Sequence, residues 1–162
     1  MSYSPAAVAN FFLGKAAQEN KSLTPMQLIK LVYIAHGWHL GYFNRPLINE
    51  RVQAWKFGPV IDSLYHKLKC YGDGPITAII PMRLGAESPV IDDPNTVSLL
   101  DSVFKSYAPY SGLQLSTLTH QADTPWYKAY IERGGRFGWG TEIPEEEIKA
   151  HYDQKIAANR VQ

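Results

Sequence analysis

The sequence predicts a mainly α-helical protein, a compact helical bundle in a single domain with a small β-hairpin inserted into it. Three observations carry that expectation. Ser4-Pro5 and Thr24-Pro25 each stand at the head of a stretch whose apolar residues recur at helical spacing. Further helical stretches follow Pro94. Between the two sets lies one strand-like aromatic run, Val52 to Phe57, which stops at Gly58-Pro59. The chain has 162 residues, 45% of them hydrophobic and 19% charged, enough to bury one sizeable core.

The elements follow in order. Ser4 suits an N-cap, Pro5 suits the first turn, and Val8, Phe11, Phe12 and Leu13 give an apolar face that fades near Asn20. Thr24 and Gln27 have capping-box spacing and open a second helix running to about Tyr42. Its stripe of Leu28, Leu31, Ile34, Ala35 and Trp38 is widened by Ile29, Val32 and Leu40, so this helix is expected at the centre of the core. Leu47-Ile48 and Val52 to Phe57, separated by Asn49-Glu50-Arg51, are expected to pair as a hairpin. Gly58-Pro59 reads as a rigid corner: Gly58 accepts backbone angles that others resist, and Pro59 starts a helix carrying Val60, Leu64 and Leu68. Gly72 ends that helix.

Asp73 to Pro94 is dense in proline and glycine and reads as turns, with a brief strand over Thr77 to Ile80. Asn95 or Thr96 is expected to cap a helix through Leu100, Val103 and Phe104, and Ser111 another through Leu115 and Leu118. Thr124-Pro125 repeats the Thr-Pro start and leads into Trp126, Tyr127 and Tyr130. Gly134-Gly135 breaks the chain before a glycine-aromatic loop, Arg136 to Thr141. Glu145, Glu146 and Glu147 suit the positive end of the last helix. No internal repeat is visible.

Composition narrows the functional classes. Sixteen basic against fifteen acidic residues leave a net charge of +1, with no sign of a concentrated basic face. Lys56, Lys67, Lys69, Arg133 and Arg136 could converge near aromatics, but they are scattered in sequence, so a nucleic-acid-binding regulator stands only as the alternative reading. Cys70 is the one cysteine, which fits a reducing compartment. Met1 to Pro5 lacks a basic leader region. Lys30, His36 and His39 punctuate the longest apolar stretch, so no membrane span is expected and the expected location is the cytoplasm.

No stretch carries an enzyme's signature. His36 and His39 lie three apart with no acid between them, and a metal hydrolase built on them would need a third ligand such as His120. Neither a metal nor a cofactor is expected. Cys70 with His66 is a weaker pair still, since a helix C-terminus disfavours a thiolate. Gly134 to Gly140 lacks the Lys-Ser/Thr ending of a phosphate loop. Its Phe137 and Trp139 either dock on a neighbour or are displayed to a partner.

Several of these residues occur together in one family. Lys30-Leu31-Val32-Tyr33-Ile34-Ala35-His36-Gly37 is followed by Arg45-Pro46-Leu47-Ile48, then by Ala54-Trp55-Lys56-Phe57-Gly58-Pro59-Val60 with Leu64-Tyr65. Leu118-Thr119-His120 and Thr124-Pro125-Trp126 come later. In this order they resemble the Panacea domain, or SocA-like antitoxin domain, and related phage-associated proteins, over roughly Leu23 to Trp126 with helical extensions at both ends. The resemblance implies a non-enzymatic antitoxin, encoded in bacterial chromosomes, prophages or phages, that binds a cognate protein toxin directly. Family members are paired with toxins that block translation or nucleotide metabolism, which implies a shared scaffold with a variable contact surface. Self-association is left open.

An inhibitor of that kind needs aromatic anchors and a charged rim. Trp55, Phe57, Gly58, Pro59, Tyr65, His120 and Trp126 are assigned to the structural motif, and Lys56, Arg136, Phe137 and Trp139 to partner contact.

Overall fold

The structure, a computed structural model, describes residues 2–82 and 90–161. Helix α1 (Pro5–Gln18) is capped by Ser4, which accepts from Ala7 N. Helix α2 (Pro25–Phe43) opens with the reciprocal Thr24–Gln27 capping box. As its apolar circumference requires, α2 is buried along almost its whole length. Around it pack α1, α4 (Pro94–Tyr107), α5 (Gly112–His120) and α7 (Glu145–Val161). Glycine sets how near α7 comes: a Cβ on Gly37 would run into the ring of Tyr152. The expectation of a mainly helical protein with a small β insertion holds.

The β insertion differs from the expected hairpin. Strand β1 (Val52–Trp55) lies between β2 (Gly58–Val60) and β3 (Thr141–Ile143), both antiparallel to it. Leu47-Ile48 does not pair with β1. Ile48 instead bridges Tyr3, with Tyr3 N donating to Leu47 O at 2.8 Å. Pro59 stands in β2 opposite Ala54, and helix α3 (Asp62–Leu68) begins three residues later. The reason is a tight turn at Lys56-Phe57, where Trp55 pairs directly with Gly58. With φ of +118°, Gly58 takes the unusual backbone angle that lets the chain reverse. A proline, having no N–H to donate, is tolerated on such a short outer strand.

Three further departures concern single segments. Thr77 to Ile80 forms no strand. Asn10 of α1 binds that backbone with its side-chain amide, accepting from Ile80 N at 2.7 Å and donating to Ile80 O at 3.0 Å. Asp93, not Asn95 or Thr96, caps α4. Thr124 caps α6 (Pro125–Tyr127) as expected, but the helix then widens into a π turn over Lys128–Glu132. In the first two cases a polar side chain outside the apolar pattern, Asn10 or Asp93, decides the backbone path. The rest of the turn-rich reading, over 83–89, lies outside the described residues.

His36 and His39 are both buried, and both serve backbone. Nδ1 of His36 accepts from Leu47 N (3.3 Å) and Ile48 N (3.5 Å), and Nδ1 of His39 donates to Arg45 O (2.8 Å). An acceptor role requires His36 to be neutral. Burial pushes its pKa from 6.5 down to about 4, and the neighbouring His39 pushes the same way. Below about pH 6.5 the unfolded chain takes up a proton that the folded chain refuses until pH nears 4. Stability is therefore full above that window and falls with acid through it. Burial lowers His39 and His151 as well, adding in the same direction. His36 alone should remove about 2 kcal/mol between about pH 7 and about pH 5. Thermal unfolding followed by circular dichroism should show the midpoint dropping by several degrees over that interval. A flat profile would contradict the buried neutral imidazole.

Candidate functional site

The site is built on the backbone carbonyls of the β1–β2 turn. Each of them meets a side-chain donor from the helical side of the molecule. Trp126 Nε1 donates to Trp55 O at 2.6 Å. His120 Nε2 donates to Lys56 O at 3.1 Å. Phe57 O accepts from Ser116 Oγ at 2.8 Å and from Lys30 Nζ at 3.0 Å, and Lys30 Nζ also reaches Pro59 O at 3.1 Å. Side chains from α2, α5 and α6 thus clamp a single turn. Behind it, the His120 ring packs on Trp126 at 4.1 Å, and Trp126 stacks on Tyr130 at 5.0 Å.

Sequence reasoning assigned no site role to Ser116 or to Lys30. Lys30 is 2% exposed, and its ammonium has carbonyl oxygens around it in place of a carboxylate. Burial lowers its pKa from 10.5 to about 7. A neutral amine has two N–H groups, matching the two carbonyls it serves. The signal available in the sequence was a lysine inside an otherwise apolar central helix. Lys30 also explains Gly58 a second time, since a Cβ there would stand 2.6 Å from Nζ.

The outer side of the clamped turn forms one wall of an open cleft of about 640 Å3. Trp55, half-buried, meets Tyr65 of α3 edge-on at 4.9 Å and Trp139 at 5.2 Å. Met26 and Ile29 of α2 also line it. Two of the lining aromatics are largely exposed, Trp139 at 83% and Phe57 at 62%. Lys56, Lys69 and Arg136 stand at the cleft, and among the described residues none of them pairs with a carboxylate. Lys56 and Arg136 instead lie over their own neighbours' rings, Phe57 at 5.5 Å and Phe137 at 4.7 Å.

The structure therefore brings Lys56, Arg136 and Trp139 to one cleft, with Trp55 and Tyr65 as its inner wall. Phe137, from the same loop and 80% exposed, stands outside the lining. Phe57 divides between the two expected roles, its carbonyl clamped and its ring displayed. Arg133 makes a two-pronged ion pair with Glu147 at 2.7 and 2.9 Å. Among the described residues no group of three or more His, Cys, Asp or Glu gathers to hold a metal, and no helix is long and apolar enough to cross a membrane.

Fold and site together define a helical scaffold that clamps one β-turn and opens an aromatic, cationic cleft beside it. The family described as "Antitoxin SocA-like, Panacea domain" matches residues 28–127. Antitoxin SocA of Caulobacter vibrioides (strain NA1000 / CB15N) is 31% identical over 159 residues, covering 94% of this chain and 85% of that protein. No solved structure matches. The chain belongs to the SocA-like antitoxin family with its Panacea domain.

Gly58 tests the clamp. Gly58→Ala places a methyl against Lys30 Nζ at an angle that L residues resist, and should destabilise by about 1–3 kcal/mol in denaturant unfolding. Unchanged stability would mean that the turn is not held as described.

Proposed function

We propose that this chain is the antitoxin of a toxin–antitoxin pair and neutralises a cognate protein toxin by stoichiometric binding at the aromatic cleft. The toxin's active or substrate-binding surface would be covered, and its target would lie in translation or nucleotide metabolism. The observation that carries the reading is where the family match ends. Residues 28–127 contain the whole clamp, from Lys30 through the Trp55–Pro59 turn to Ser116, His120 and Trp126. Arg136 and Trp139 lie beyond it. A common scaffold with a partner-specific loop is what one domain needs to serve different toxins.

The contact chemistry supports direct binding. Exposed tryptophan, phenylalanine and arginine are the residue types that dominate protein interfaces, and they need no catalytic group beside them. The test is co-expression with the neighbouring toxin gene, followed by co-purification. Growth should be rescued and the two proteins should elute together at a fixed ratio. Trp139→Ala should weaken the complex by about tenfold or more while leaving the thermal midpoint nearly unchanged. Persistent growth arrest despite soluble protein would refute the reading. Rescue without a complex would replace occlusion by an indirect mechanism.

A further inference from the structure

We propose that the cleft recognises an acidic segment of the partner polypeptide carrying one large apolar side chain, which packs into the cleft against the wall formed by Trp55, Tyr65 and Trp139. This inference rests on the binding reading above and names the chemistry of the partner's contact. Charge complementarity carries it. Several of the protein's cations pair with a carboxylate: Lys15 with Asp101, Arg45 with Asp93, Arg51 with Glu142, Arg133 with Glu147 and Lys149 with Asp153. Among the described residues Lys56, Lys69 and Arg136 do not. What distinguishes them from other such cations, Lys67 and Lys128 for example, is that they gather at one opening, where Asp73 is the sole described lining carboxylate. In a molecule whose net charge is only +1, this is a local excess of positive charge.

The apolar requirement comes from the walls. Trp55, Tyr65, Trp139, Met26 and Ile29 present ring faces and aliphatic surface, which an acidic segment alone would leave wet. A volume of about 640 Å3 accommodates a leucine or phenylalanine together with its flanking backbone. The exposed ends of Lys56 and Arg136 then lie beside the segment's carboxylates, where Arg can pair two-pronged. A nucleic-acid strand fits less well. Single strands are held along a track of cations over several nucleotides, and here the cations ring one opening.

The experiment uses the whole chain and fluorescein-labelled short peptides read by anisotropy. The panel contains Glu-Glu-Leu-Phe-Glu-Glu, Lys-Lys-Leu-Phe-Lys-Lys, Glu-Glu-Ala-Ala-Glu-Glu and a thymidine oligonucleotide of about eight residues. The acidic Leu-Phe peptide should bind at least about tenfold more tightly than the other three, and weaken as salt rises from about 50 to about 200 mM. The Lys56→Glu/Arg136→Glu double variant should lose about tenfold or more of that affinity. Both side chains are exposed, and an unchanged thermal midpoint would certify the fold. Equal binding of the basic peptide, tighter binding of the oligonucleotide, or no binding of the acidic peptide would each overturn the inference. Retention of the co-purified toxin complex by the double variant would also overturn it, while leaving the antitoxin reading intact. Failure of the unaltered chain to form any complex would remove the reading itself.

Discussion

The amine of Lys30 against the carbonyls of Phe57 and Pro59 is the contact on which the site depends. A buried lysine without a carboxylate is costly, and burial has already moved its pKa to about 7. It is tolerated because the turn offers two oxygens that would otherwise be orphaned. The dependence is mutual. Without the turn Lys30 has no partner, and without Lys30 Pro59 O loses its donor, at a cost of about 1–3 kcal/mol for a buried polar group. Gly58 completes the lock, since only a residue without a Cβ leaves room for Nζ. What the lock fixes is the outward direction of Lys56 and the Phe57 ring.

The same logic repeats along α2. Its buried polar residues, Lys30, His36 and His39, each hold a non-helical segment: the β turn, the Leu47-Ile48 backbone and the Arg45 carbonyl. Asn10 does so for Ile80 from α1. Irregular backbone pressed against a core carries donors and acceptors that no sheet or helix satisfies. Here the central helices supply the missing partners. The polar residues that interrupt the apolar pattern are thus the ones that order the loops.

This explains how much of the molecule was legible. Caps at Ser4, Thr24, Ser111 and Thr124 could be read because their chemistry spans three residues, and the centrality of α2 because apolar circumference is local information. Pro59 in a strand and the three-residue β3 could not. Both depend on pairing with β1, and for β3 the partner is almost ninety residues away. The clamp was half legible: Gly58, His120 and Trp126 were singled out as structural, but nothing in the sequence joins Lys30 and Ser116 to the same turn. The loop at Trp139 was ambiguous for a physical reason. Its ring both stacks on Trp55 and remains largely exposed, so docking and display are the same state.

The loop is also built so that its residues can differ without disturbing the turn. On one side, Arg133 is held by Glu147, and a Cβ on Gly135 would come within 2.7 Å of Ala129 O, so that end is closely fitted. On the other, Thr141 to Ile143 is paired with β1. Between these anchors Arg136, Phe137 and Trp139 appear in no hydrogen bond of the clamp. Changes at positions that are distant and share no partner combine nearly additively, which holds for Arg136 and Phe137 toward the clamp's hydrogen bonds more than for Trp139, packed on Trp55. A substitution in the loop therefore alters one wall of the cleft and leaves the fold's central lock in place. The loop and the clamp touch through Trp139, which leans on Trp55, while Lys56 and Phe57 belong to the clamp by their carbonyls and to the cleft by their side chains.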